Sequence, residues 1–418
     1  MGMTIAEKIL ARNSGRGHVE PGDVVRATID KAMANDITAP LTVDAIKDMD
    51  LKEVWNPEKI VIVFDHQAPP TTVKAAEDQD TLRKFASQQG IKNIYGDFEG
   101  VCHQIMLEKP HVLPGQLVVG ADSHTCTYGA LGCFAAGIGS TDMAAVFSEG
   151  KLWFRVPESV KIQVKNRLRK HVTSKDLILK IAGDVGADGA IYRSIEFVGT
   201  GIGLISTSGR MTLCNMGVEM GAKTAIVPPD EKTREYISKK TDEDYVETHP
   251  DPDAEYVEEL EYSALKIDPM VACPHSVDNV KTVDELEDVK IQQAFLGSCT
   301  NGRLEDLAKA ADILKGEQID KGVKMLVAPA SREVFLRAME EGIIGKLVES
   351  GAIIEPPGCT TCWGGHIGIL APGETCISSS NRNFRGRMGS PEAEIYLASP
   401  TTVAASALTG EITNPRDL

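Results

Sequence analysis

Three cysteines stand on glycine-bearing stretches: Cys299 in Gly297-Ser298-Cys299-Thr300-Asn301-Gly302-Arg303, and Cys359 and Cys362 in Gly358-Cys359-Thr360-Thr361-Cys362-Trp363-Gly364-Gly365. A lone thiol plus a C-x-x-C pair can hold a soft metal centre and leave one coordination position empty, which separates a catalytic metal from a structural one. An iron–sulfur cluster normally takes four thiolates, so three would leave one iron open as a Lewis acid. The same spacing suits a redox pair, or a closed zinc site completed by His366 or Cys376. The other six cysteines, Cys102, Cys126, Cys133, Cys214, Cys273 and Cys376, are scattered and read as small buried hydrophobes.

A second set carries protons. Asp65-His66, His103 and Asp122-Ser123-His124 fall within sixty residues, and two of the three histidines have an aspartate beside or near them. A carboxylate next to an imidazole fixes its tautomer and keeps a proton available near neutral pH. The remaining histidines read as structural. A third set is Asn381-Arg382-Asn383-Phe384-Arg385-Gly386-Arg387, where Arg382 and Arg387 have the planar fork that grips carboxylates. A solvated loop is the plain alternative there.

These groups need elements to aim them. A buried-strand run over 59–64 ends at Asp65-His66, and a strand over 116–119 leads into Asp122-Ser123-His124. Strands over 291–296, 352–354 and 375–378 run into Cys299, the C-x-x-C pair and Arg382. Helical patterns lie between them: 72–89, 331–341, and a stripe of Leu304, Leu307, Ala308, Ala311 and Leu314. Thr173-Ser174-Lys175-Asp176 reads as a capping box opening a helix over 177–182. A helix over 210–221 would put Asn215 and Glu219 four apart on one face. The glycine-rich passage 129–139 predicts close backbone approach. Residues 229–262, acid-rich with Pro250 and Pro252, read as a solvated excursion. Alternating strands and helices predict an α/β fold with largely parallel sheets, whose ligands bind beyond the carboxyl ends of the strands. The texture changes near 157 and 277, so three α/β/α domains are expected: 1–157 with the Asp/His motifs, 158–277, and 278–418 with the cysteines and arginines.

Composition narrows the function. A chain of 418 residues is too long for one core. With 44 basic against 60 acidic residues its formal charge is −16, which argues against a nucleic-acid binder but not against a small anion held by local arginines. No apolar run approaches the ~20 residues of a membrane span, and residues 1–17 lack the apolar centre of a signal peptide. A cytoplasmic protein is expected, its thiols reduced and serving as metal ligands or core rather than disulfides.

Asp122-Ser123-His124-Thr125, the Cys299 stretch, the G-C-x-x-C loop and N-R-N-F-x-G-R, in that order, resemble the aconitase superfamily over nearly the whole chain. The resemblance is strongest to its two-chain group, whose members isomerise isopropylmalate or homocitrate by dehydration and rehydration. It implies a hydro-lyase with three α/β/α domains around a cluster cleft. Cys299, Cys359 and Cys362 then match the ligands of a [4Fe-4S] cluster with one open iron. Asp65, His66, His103, Asp122, His124 and Glu219 match catalytic positions, with Glu219 paired to His124. Asn35, Ser123, Asn215, Arg382 and Arg387 match substrate-binding or cluster-neighbouring positions. Thr360-Thr361 stands where many relatives have Gly-Pro, and Thr127 where aconitases proper have asparagine, which disfavours citrate. No counterpart of the swivelling domain, with its catalytic serine, precedes Leu418, so the resemblance implies a separate small subunit in a heterodimer or heterotetramer.

Overall fold

The computed structural model describes residues 2–286 and 288–418. The chain forms two compact units whose segments alternate along the sequence, each with its own core. One comprises the chain up to Asp97, Ile105–Lys165 and Ala190–Tyr262. The other comprises Phe98–Gln104, Asn166–Gly189 and Ser263–Leu418. Among the described residues, no helix is long and apolar enough to cross a membrane.

The first unit is built on a five-stranded parallel sheet in the order Ile94–Tyr95, Ile60–Val63, Lys31–Asn35, Leu117–Gly120, Phe134–Gly137. Ile60–Val63 and Leu117–Gly120 are buried at every position, as strands covered on both faces must be. The chain enters at Lys31–Asn35, winds outward through Ile60–Val63, then returns to the other side at Leu117–Gly120. The direction of winding therefore reverses between Lys31–Asn35 and Leu117–Gly120, and Asn35 and Asp122 flank this switch point. Ile5, Ile9, Val43, Leu82, Phe134 and Phe147 pack with the sheet in one core. Helix Ile5–Ser14 opens with a capping box between Thr4 and Glu7, and Val73–Gln89 follows the predicted pattern.

A four-stranded sheet in the same unit runs Thr224–Ile226, Ser194–Val198, Ser159–Lys165, Glu258–Ser263. Its last strand overlaps the end of the acid-rich stretch expected to be a solvated excursion. Glu259 and Glu261 pair with Lys161 and Lys165 at 3.0 and 2.7 Å, so the alternating acids serve an edge strand. The helix expected over 210–221 ends earlier, as Thr207–Asn215, and continues as a 3-10 turn over Met216–Met220. In that turn the packing is close: a Cβ on Gly217 would meet that of Ala225 at 2.7 Å. The glycine passage makes the predicted close approach, since a Cβ on Gly129 would lie 1.8 Å from the Ala225 carbonyl oxygen.

The second unit holds a seven-stranded sheet in the order Val280–Thr282, Met270–Ala272, Glu394–Ala398, Thr375–Ser378, Gln293–Leu296, Lys324–Val327, Ile353–Ile354. The last five are parallel, and Met270–Ala272 joins antiparallel. Winding reverses again, here between Gln293–Leu296 and Thr375–Ser378. Cys299 follows one of these strands and Asn381-Arg382 the other. Helix Leu304–Leu314 buries Leu307, Ala311 and Leu314 in this core, and Leu304 and Ala308 pack at its margin. Ser174–Val185 opens with the predicted capping box of Thr173 and Asp176.

Candidate functional site

Each unit presents one constellation beyond the carboxyl ends of its parallel strands. In the first, His66 follows strand Ile60–Val63. Its Nδ1 lies 2.8 Å from Asp65 Oδ1 and 4.0 Å from Asp36 Oδ1, and its Nε2 lies 3.9 Å from Asp122 Oδ2. Burial by itself would favour the neutral ring. The Asp65 charge and hydrogen bond, then the charges of Asp122 and Asp36, outweigh it and push the imidazole up to about 9. His66 is thus held as a cation at neutral pH.

Asp36 was not singled out from the sequence as a functional residue. It is buried and accepts the backbone N–H groups of Asp65 and His66 on Oδ1, at 3.1 and 3.0 Å, and of Gln67 on Oδ2, at 2.7 Å. Three successive donors converging on one carboxylate fix the turn that carries His66. Burial and the nearby Asp65 charge raise the Asp36 carboxyl, against the pull of His66 and these N–H groups.

Asn35 donates to Asp122 Oδ2 at 3.3 Å and accepts from the N–H groups of Ile37 and Thr38. Asp122 caps the buried 3-10 turn Ser123–Leu131 by accepting from the His124 N–H at 2.9 Å. The Ser123 hydroxyl lies 3.5 Å from His124 Nδ1, and His124 Nε2 lies 2.7 Å from Glu219 Oε1. Asn215 donates to Thr127 Oγ1 at 2.8 Å. Asn215 and Glu219 both reach this one turn, although they belong to two successive helical turns rather than one helix face.

The second unit carries the thiols. Cys299, Cys359 and Cys362 are all buried. Cys299 and Cys359 share a small apolar cluster with Val101 and Trp363. Asn381 donates to Cys299 Sγ at 3.4 Å, and its Oδ1 lies 4.0 Å from Cys362 Sγ, so one amide touches both loops. Arg387 Nη2 donates to Cys362 Sγ at 3.7 Å. Arg382, next to Asn381, is half-buried. Arg303, buried, donates to the carbonyls of Cys299 and Thr300 at 2.6 and 2.8 Å and to Gln104 Oε1 at 3.2 Å. Ser298 and Thr360, each next to one of these cysteines, take positive φ, 70° and 28°. Strained backbone of this kind clusters where geometry is functional.

His103 belongs to this unit through the segment Phe98–Gln104. That segment is tied down by Val101 N–H to Ala330 O, by Arg332 N–H to Glu99 O, and by an edge-on contact of Phe98 with Phe335. Nothing in the local sequence signals that His103 is carried beside the cysteines.

The donor set fits a metal centre of thiolates. Three buried sulfurs lie on two loops, and side-chain N–H groups point at two of them, as hydrogen bonds that tune iron–sulfur centres do. Cys376 does not fit as a fourth ligand. It lies within strand Thr375–Ser378, and burial pushes its thiol up to about 12. The thiols of Cys133 and Cys214 are likewise raised by burial, in keeping with core residues.

The aconitase family (aconitate hydratase) matches residues 7–410. The chain is 55% identical over 416 residues to the 3-isopropylmalate dehydratase large subunit 1 of Methanopyrus kandleri, covering 100% of this chain and 99% of that one. It is 48% identical over 418 residues to a probable methanogen homoaconitase large subunit of Methanothermobacter thermautotrophicus, covering 99% and 98%. Aconitase X of Thermococcus kodakaraensis is similar in fold alone, with a TM-score of 0.55 at 14% identity over 96% of this chain and 94% of that one. The chain belongs to the aconitase family.

Proposed function

We propose that the chain is the cluster-bearing large subunit of a hydro-lyase that interconverts 2-isopropylmalate and 3-isopropylmalate through isopropylmaleate. The observation that carries the reading is His66, a half-buried imidazole kept protonated by three carboxylates, in a chain similar along its whole length to a dehydratase of that name. Cys299, Cys359 and Cys362 would hold a [4Fe-4S] centre, which supplies Lewis acidity toward the departing hydroxyl. His66 gives its Nε2 proton to that hydroxyl, and the C–O bond breaks to release water. Asp65 and Asp36 keep the ring turned and charged. The carbon-bound proton passes to a base on a separate small subunit, which the large-subunit names of the relatives support. Arg382 and Arg387 hold substrate carboxylates and steady the thiolate loop. Asp122, His103 and the His124–Glu219 pair hold protons around the reacting atoms, and Asn35, Ser123 and Asn215 orient the substrate. Rehydration at the neighbouring carbon runs these steps in reverse. The reading implies a reducing, cytoplasmic setting.

A second reading, homocitrate to homoisocitrate, is favoured by the relative named as a homoaconitase. Co-expression with a small subunit, anaerobic loading with iron and sulfide, and assays on both substrates separate the two. Turnover of isopropylmalate is expected, and turnover of homocitrate alone would select the second reading. Cys359→Ser should lose the visible absorption of the cluster together with activity, while Cys376→Ser keeps both. A colourless, fully active protein holding one zinc ion would overturn the cluster.

A further inference from the structure

Lys175 is fully buried, although its sequence context is that of a first-turn surface residue. Helix Ser174–Val185 is fixed at its start by Asp176, which accepts the Thr173 N–H at 2.7 Å and the Met270 N–H at 3.0 Å. From this anchored turn Lys175 Nζ donates to the carbonyl of Ser379, at 3.1 Å, and to that of Ser380. Burying an ammonium is unfavourable, and an apolar side chain of similar volume would fill the space without that desolvation. What the ammonium adds is a charge-assisted grip on two successive carbonyls.

Those carbonyls belong to the junction of the thiolate site. Ser378, Ser379 and Ser380 are wholly buried. The Ser379 hydroxyl accepts the Gly297 N–H at 2.9 Å and donates to the Gly297 carbonyl at 3.2 Å, two residues before Cys299. The Ser378 and Ser380 hydroxyls bond each other at 2.7 Å. The next residue, Asn381, donates to Cys299 Sγ and to Thr300 Oγ1. A continuous chain of bonds thus runs from Lys175 through the serines to both sides of Cys299.

We propose that Lys175 is a positioning residue: its grip on the Ser379 and Ser380 carbonyls sets where Asn381 and Cys299 meet, and so shapes the thiolate pocket from a helix outside it. The inference rests on Cys299 as a cluster ligand only for its spectroscopic arm. In the full chain without cluster, Lys175→Met should keep a cooperative thermal melt while Cys299 is alkylated at least about tenfold faster, because the local opening that exposes it is eased. Cys133, which belongs to the other unit, serves as the internal control and should be unchanged. In the loaded protein the same substitution should shift the electron paramagnetic resonance signature of the reduced cluster. Unchanged alkylation of Cys299 in a folded variant overturns the inference. If Lys175→Met does not fold, Lys175→Gln, which replaces the ammonium with a shorter, uncharged donor, is read in the same way, and unchanged alkylation there overturns the inference equally. Faster alkylation in a protein that never takes up a cluster would support the positioning role and remove the cluster reading.

Discussion

His66 is where burial and charge oppose each other most openly. Its folded value of about 9 exceeds the ordinary 6.5, so the ion pair stabilises the fold fully below pH 6.5 and loses that contribution as pH rises toward 9. The contribution is on the order of 3 kcal/mol. As an acid, His66 should support turnover up to about pH 9. Asp65→Asn removes the largest favourable charge and should move the basic limb of the kcat profile to lower pH by roughly 1 unit or more; an unmoved limb would assign the acid to another residue. Asp36→Ala removes the carboxylate on which three successive N–H groups converge and should cost roughly 2 kcal/mol or more in urea denaturation, with kcat falling further than KM changes. The Asp65–His66 pair was legible because its members are adjacent in sequence. Asp36 and Lys175 were not, because each acts on backbone groups 29 to 205 positions away, and side-chain type does not encode such distances.

At the scale of elements, caps and buried strands could be read directly because their causes are local. The capping boxes at Thr4 and Thr173 and the run ending at Asp65 are examples. The early end of the helix at Asn215 could not, and the close approach of Gly217 to Ala225 in the turn that follows is a tertiary contact with no local signal. The same holds for Glu258–Ser263, whose acids find lysines on a neighbouring strand. Strand Ser194–Val198 carries a further device. Glu196 is fully buried and accepts from the Ile5 N–H and the Tyr256 hydroxyl, both at 2.8 Å, pinning the start of helix Ile5–Ser14. Burial raises its carboxyl to about 7, against these two bonds. A raised carboxyl gives stability that is whole below its unfolded value of 4.5 and is lost as pH rises through 7. Glu196→Gln should therefore gain on the parent chain between pH 5 and 8, by roughly 1–3 kcal/mol in denaturant midpoints compared at the two pH values. A constant difference across that range would contradict the assignment.

Over the whole molecule, one plan is used twice: a parallel sheet whose winding reverses between two strands, with the reactive loops leaving at the reversal. The His66 and His124 clusters with their carboxylates occupy one copy, and the thiols, with His103, the other. The chain passes between the units more than once, and the division falls inside helix Cys102–Glu108. A fragment of residues 2–165 keeps the five-stranded sheet but lacks the residues that enclose the turn Ser123–Leu131, among them Asn215 and Glu219. It should show no cooperative melt by circular dichroism, and a sharp native-like melt would contradict this dependence. That enclosed turn also bears on heredity. Gly129 has no reactive atom, yet the Ala225 carbonyl leaves no room for a methyl group there. In a saturation screen every allele at codon 129 should score as a null, alongside alleles of His66 and Cys299. A map drawn from intolerance alone would enlarge the active site by a residue whose only contribution is to take up no space.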